Sequence, residues 1–151
     1  MRHWMEEAGL RVTIDPAANL IGSLPGADES LAPVLVGSHT DTVLQGGRFD
    51  GVLGVAAGIE VASRLRGVPR QRGLLVVDFT AEEPTEFGIS TIGSRAFVGN
   101  LPSEVLVRQD TRGQTLSSAL KGAGGDPVSL GGAAHKPGNV YAALELHIEQ
   151  G

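Results

Sequence analysis

The chain has 151 residues, a net charge of -5, 41% hydrophobic residues and no cysteine. That length allows one ordinary domain with a buried core. The acidic balance offers no field for nucleic acid or an anionic membrane surface, and the missing thiols exclude disulfides, thiol nucleophiles and cysteine zinc sites.

Met1-Arg-His-Trp-Met-Glu-Glu7 has no apolar stretch of the kind a secretory signal needs. No run in the chain is long enough to span a bilayer, so a cytoplasmic location is expected. Met1 to Ala8 reads as the last turns of a helix capped by Gly9, a hint that residues precede it. Leu10–Ile14 and Asn19–Ser23 are short strand candidates around the turn Asp15-Pro-Ala-Ala18. Pro33–Gly37 is an apolar run suited to a buried strand. Val52–Leu65 is helical in length and pattern: Leu53, Ala56, Ala57, Val61 and Leu65 recur at helical spacing, and Gly54, Ala56, Ala57 and Gly58 allow close packing on a sheet. Arg64, Arg66, Arg70 and Arg72 flank the next connection and read as a solvated turn. Leu74–Phe79 is a second buried strand. Strand, helix, strand in this order predicts a parallel βαβ unit. Its polar motifs then fall at the strands' C-terminal ends, where open α/β sheets bind ligands. Ser94–Val98 and Thr115–Lys121 are short helix candidates, and the glycine-rich stretch 122–134 reads as a surface connection. Tyr141–Ile148 alternates as a strand, with Tyr141, Ala143, Glu145 and His147 on its polar face.

Five stretches carry the chemistry. They are Gly37-Ser-His-Thr-Asp-Thr-Val43, Gly46-Gly-Arg-Phe-Asp-Gly51, Thr80-Ala-Glu-Glu83, Gly93-Ser-Arg-Ala96 and Leu146-His-Ile-Glu-Gln-Gly151. Two imidazoles and several carboxylates are the ligand types that hold a pair of divalent cations and activate water between them. Each residue also has a plainer reading. His39 and Asp41 are either a ligand and its orienter or part of an Asx turn. Asp50 precedes the long helix, where Asp is a favoured N-cap. The alternative is a carboxylate bridging two metals at the positive end of the helix dipole. Glu82 and Glu83 repel one another unless cations or protons separate them. One as ligand and the other as general base would resolve this; Thr80-Ala-Glu-Glu83 also fits a capping box, although Pro84 and Gly88 disfavour a regular helix. His147, between Glu145 and Glu149, is otherwise a residue on a solvent-facing edge strand. His3 and His135 have nothing comparable around them, and His135 reads as exposed loop. No G-x-S-x-G, P-loop or H-E-x-x-H is present.

Taken jointly, the motifs resemble the metal-dependent amidases of the hydantoinase/carbamoylase family. That family includes N-carbamoyl-L-amino-acid hydrolases, allantoate amidohydrolases and β-ureidopropionases, and it is a branch of the dinuclear aminoacylase and carboxypeptidase superfamily. The matching text also includes Trp4-Met-Glu-Glu-Ala-Gly-Leu10 and Asn19-Leu-Ile-Gly22, and it runs in family order along nearly the whole chain. The resemblance implies an α/β fold, a dinuclear-metallopeptidase-like domain with a mostly parallel central sheet flanked by helices. Residues 1–151 would be the N-terminal part of its catalytic domain. A lid and dimerisation domain and the C-terminal part of the catalytic domain would be absent, and the intact enzyme would be a homodimer. His39 and His147 would bind one metal, Asp50 would bridge, and Glu83 would bind the second. Glu82 would be the general base, Asp41 would orient His39, and Gln150 would lie near a small ureido or amide substrate. The two divalent cations would be zinc or manganese, with cobalt or nickel also compatible. His147 stands where the carboxypeptidase relatives place a carboxylate. A dinuclear aminopeptidase or carboxypeptidase, or a non-catalytic remnant, are the alternatives. One departure concerns substrate: Pro84-Thr-Glu-Phe87 has Glu86 where the carbamoylase pattern has arginine. The second metal's histidine is expected beyond Gly151, so residues 1–151 alone are expected to be inactive.

Overall fold

The computed structural model describes residues 1–132 and 134–149. Its first helix, α1 (Arg2–Glu7), ends at Gly9, whose φ of 86° is in the left-handed region. The Gly9 N–H bonds to the Glu6 carbonyl and the Leu10 N–H to the Met5 carbonyl. These are the paired bonds of a Schellman cap, and Leu10 and Met5 pack together in the core as that motif requires. The strands β1 (Arg11–Ile14) and β2 (Leu20–Leu24) follow as an antiparallel pair. In the turn between them, Asp15 Oδ1 accepts the N–H groups of Ala17 and Asn19, both at 2.9 Å.

The predicted βαβ unit is present as β3 (Val34–His39), α2 (Val52–Leu65) and β4 (Leu74–Phe79), with β3 and β4 parallel. The remaining elements are α3 (Ile92–Phe97), α4 (Leu116–Gly122) and β5 (Ala142–Leu144), with 3-10 turns at Ser103–Val107 and Leu130–Gly132. The five strands form one sheet in the order β1-β2-β4-β3-β5. Its β4-β3-β5 part is parallel, and β2 joins β4 antiparallel. Among the described residues no helix is long and apolar enough to cross a membrane.

Alternation along β3 and β4 divides the core. Val36, Leu74 and Val76 face α1 and α2 with Met5, Val55 and Ala62. Leu35, Leu75 and Val77 face the other way, against Phe97 of α3. A third cluster of Ile92, Val105, Leu116 and Leu120 joins α3 to α4. The inward face of α2 is its small residues, as the close-packing glycines require, and not the larger residues of its helical repeat. Gly54, Val55, Gly58 and Ala62 are buried, whereas Leu53 and Val61 are 37% and 41% exposed. The small residues win because the sheet comes so close: a Cβ on Gly58 would lie 3.0 Å from Val76 Cγ1. The last strand is also shorter than its alternation suggests, covering Ala142–Leu144 within the expected 141–148.

Candidate metal centre

His39 is the last residue of β3 and is buried. Its Nδ1 lies 2.8 Å from the Asp41 backbone oxygen. His147 Nδ1 lies 2.7 Å from the Ile148 backbone oxygen. A carbonyl can only accept, so in each ring Nδ1 carries the proton, and in a neutral ring Nε2 is then a bare lone pair. The two Nε2 atoms face each other at 3.1 Å. Two lone pairs so close repel unless a proton or cation sits between them.

Asp50 completes the group. Its carboxylate is 1% exposed, and neither oxygen has a hydrogen-bond partner. His147 Nε2 is 3.5 Å from Oδ1. The ligand atoms of His39, Asp50 and His147 all lie within 4.8 Å of one another. Two nitrogen ligands about 2.0–2.1 Å from a tetrahedral zinc lie about 3.3 Å apart, so the imidazole spacing fits a shared cation. The orphaned buried carboxylate fits it too, because burying such a charge unpaired is costly.

Asp50 is not the N-cap of α2. That place belongs to Gly51, with φ 62° and no side-chain cap bond. A Cβ on Gly51 would lie 2.4 Å from the His39 ring. Glycine therefore lets the helix begin directly beneath the imidazole, and Asp50 is turned inward rather than back onto the helix.

Glu82 and Glu83 line the same cavity of about 400 Å³ as Ser38, His39, Phe79, Thr91, Ser94, Glu145 and His147. No helix begins at Thr80, so the capping-box alternative does not apply. Glu82 Oε1 accepts the Ser94 N–H at 2.7 Å, and Oε2 accepts the Ser94 hydroxyl at 2.8 Å. Burial pushes the Glu82 pKa up, and the Ser94 bonds partly oppose it. Glu83 shares the cavity but is not in the close group formed by His39, Asp50 and His147. Asp41 does meet His39, as an orienting residue would, but through a different atom. Its backbone oxygen, rather than its carboxylate, takes the His39 Nδ1 bond; the carboxylate is 3.5 Å from Nδ1. Its two oxygens instead accept the N–H groups of Glu82 and Glu83, at 3.2 and 3.0 Å. Asp41 thereby ties the end of β3 to the paired glutamates. Gln150 lies outside the described residues.

Asn19 has a role that its place in the motif Asn19-Leu-Ile-Gly22 does not signal. Fully buried, Asn19 accepts the Thr80 N–H at 2.9 Å and donates to the Gly93 carbonyl at 3.1 Å and to Asp15 at 2.8 Å. A Cβ on Gly93 would meet Asn19 Oδ1 at 2.2 Å. Three backbone bonds from Thr91, Ile92 and Gly93 to Glu82, Ala81 and Thr80 complete the brace. Ala81 and Thr91 hold left-handed φ values of 52° and 54° within it, which is strain of the kind stored at functional sites. An asparagine beside a turn looks like a turn former, so sequence gave no separate signal. His135 also differs from its reading as exposed loop. It is half-buried and stacked on Phe97 with ring centroids 4.0 Å apart, and burial lowers its pKa.

Asp78, paired in register with Ser38, has its pKa pushed up to about 6, first by burial, against the opposing bond from the Thr40 hydroxyl at 3.0 Å. A raised carboxylate binds its proton more tightly when folded. Its contribution is therefore full below the unfolded value of 3.8 and is lost as pH rises through about 6. Asp78→Asn should stabilise the chain at neutral pH by on the order of 1 kcal/mol, discounted for partial exposure. Melting curves near pH 4 should show no gain. A loss of stability at neutral pH would contradict this.

The geometry defines an α/β domain with a His-Asp-His group that could hold a metal ion near the C-terminal ends of its parallel strands. The chain belongs to Peptidase family M28, which matches residues 19–124. It is 51% identical to the N-carbamoyl-L-amino acid amidohydrolase of Geobacillus stearothermophilus over 98% of this chain and 37% of that protein. It is 38% identical to the ureidoglycolate hydrolase of Arabidopsis thaliana over 100% of this chain and 33% of that one. A solved hydantoinase/carbamoylase family amidase from Burkholderia ambifaria superposes with a TM-score of 0.84 and 43% identity, over 99% of this chain and 36% of that one. The resemblance read from the motifs thus holds along the chain, which spans about a third of the length of these relatives.

Proposed function

We propose that residues 1–151 are the N-terminal part of the catalytic domain of a metal-dependent amidohydrolase. Its reaction would be hydrolysis of a linear C–N bond in an N-carbamoyl amino acid or a related ureido or amide substrate. The observation that carries this is the meeting of two Nε2 lone pairs and an orphaned buried carboxylate beside a held glutamate. His39 and His147 would hold one divalent cation and Glu83 a second, with Asp50 a ligand they would share. Zinc or manganese suits these ligands, as do cobalt or nickel. Bound cations supply Lewis acidity toward the scissile carbonyl and a lowered pKa for water. Glu82 takes the proton from the attacking water and gives it to the leaving nitrogen as the C–N bond breaks. Each of its oxygens accepts one bond from Ser94. A second lone pair on each stays available for the proton. Gln150 contacts substrate, the intact enzyme is a homodimer through a further domain, and its location is cytoplasmic.

A peptidase is the second reading, favoured by the description of the matching family. The names of the relatives that are 51% and 38% identical favour the amidase. A chimera separates the two. Residues 1–151 would be joined to the remaining length of the Geobacillus relative, loaded with metal, and offered N-carbamoyl amino acids, ureidoglycolate and aminoacyl anilides. Turnover of the carbamoyl or ureido compounds supports the amidase. Turnover of anilides alone, or activity that survives chelation, contradicts it.

A further inference from the structure

His147 reaches the metal centre from a segment that the sheet hardly holds. The β3–β5 ladder pairs Val34 with Ala142, Leu35 with Ala143 and Val36 with Leu144, and the strand ends there. Residues 142–146 are exposed. A ligand three residues past a frayed edge would sample many positions, and its Nε2 would rarely face that of His39. Two features beyond the ladder take over.

Ser38 is buried on β3, immediately before His39. Its hydroxyl donates to Glu145 Oε1 at 2.8 Å. The same side of Ser38 meets α2 at Gly54. A Cβ there would lie 2.4 Å from the Leu146 carbonyl oxygen and 2.6 Å from Ser38 Cβ. The segment is therefore tethered by a side chain at residue 145 and seated in a notch at residue 146. The next residue is His147. We infer that Ser38, Glu145 and Gly54 form a latch that positions His147 as a ligand. The inference rests on the proposed metal reading and assigns these three residues a role none of the motifs gave them. Glu145 and Ser38 are positioning residues that touch no cation themselves. Glutamine at 145 would keep the oxygen that accepts the Ser38 hydroxyl while removing the charge. Alanine would remove both.

The test is zinc binding by the 151-residue chain, measured in competition with a chromophoric chelator, and needs no turnover. Glu145 is exposed, so its variants should fold, and circular dichroism checks this. Glu145→Ala should weaken zinc binding at least about tenfold, the lower end of the effects seen for groups that orient metal ligands. Glu145→Gln should stay within about twofold of the parent, and adding Ser38→Ala to Glu145→Ala should cost little more, because one bond is already lost. His147→Ala should abolish the site. If Glu145→Ala binds as the parent does while His147→Ala does not, the latch is wrong and the metal centre stands. If Glu145→Gln is as weak as Glu145→Ala, the glutamate acts through its charge and the latch is again wrong. If His147→Ala binds zinc like the parent, the metal reading itself fails.

Discussion

Glu82→Gln in the chimera should lower turnover by about 10²–10⁴-fold, the range supplied by a positioned general base, while metal content stays near that of the parent. Glutamine is isosteric and its oxygen can still accept one of the two Ser94 bonds, so the loop need not move. What it loses is the ability to hold a proton. Glu83→Gln should behave differently. It should lose metal and activity together, because its proposed task is coordination. Elemental analysis beside the rate measurement distinguishes them. The reverse pattern, with metal lost at residue 82 and retained at residue 83, would mean that base and ligand have been assigned the wrong way round.

The second large effect is one of opposite signs at Asp50. Without metal, its carboxylate is a buried charge with no hydrogen bond and a single imidazole 3.5 Å away. Neutralising it relieves a desolvation cost. Asp50→Asn should therefore raise the stability of the metal-free chain by on the order of 1–2 kcal/mol. The parent should gain about 2.7 kcal/mol from zinc at a hundred times its dissociation constant. The variant should gain almost nothing. Denaturant melts with and without zinc give both numbers. A metal-free variant that is less stable than the parent, yet still stabilised by zinc, would show that Asp50 is a structural residue.

Much of the centre was legible because its chemistry sits on regular elements. The runs Pro33–Gly37 and Leu74–Phe79, with a helix of apolar period between them, force a parallel pair and bring His39, Glu82 and Glu83 to one edge. Alternation alone makes His147 a residue on a solvent-facing edge strand; its place as a ligand came from the family resemblance, and the strand itself ends at Leu144. What remained hidden depended on backbone conformation and close approach. Asp50 looked like a helix cap because nothing in the letters says that Gly51 adopts a left-handed φ beneath an imidazole. On α2 the close packing expected of Gly54 and Gly58 is present, but the large residues of the helical repeat, Leu53 and Val61, are exposed because periodicity weighs size and not approach. Asp41 was expected to use its carboxylate on His39. The carbonyl does that, since the carboxylate is taken by two amide groups 41 and 42 residues away in sequence. Contacts of that range are set by the fold, not by local pattern.

His39, Asp50 and His147 are proposed to share a cation. Crystals of the chain grown with zinc, measured on both sides of the zinc absorption edge, test it most directly. An anomalous peak should lie about 2.0–2.1 Å from His39 Nε2 and from His147 Nε2, with an Asp50 oxygen completing the contact. Zinc bound only elsewhere, with the two Nε2 atoms still facing one another and nothing between them, would contradict it.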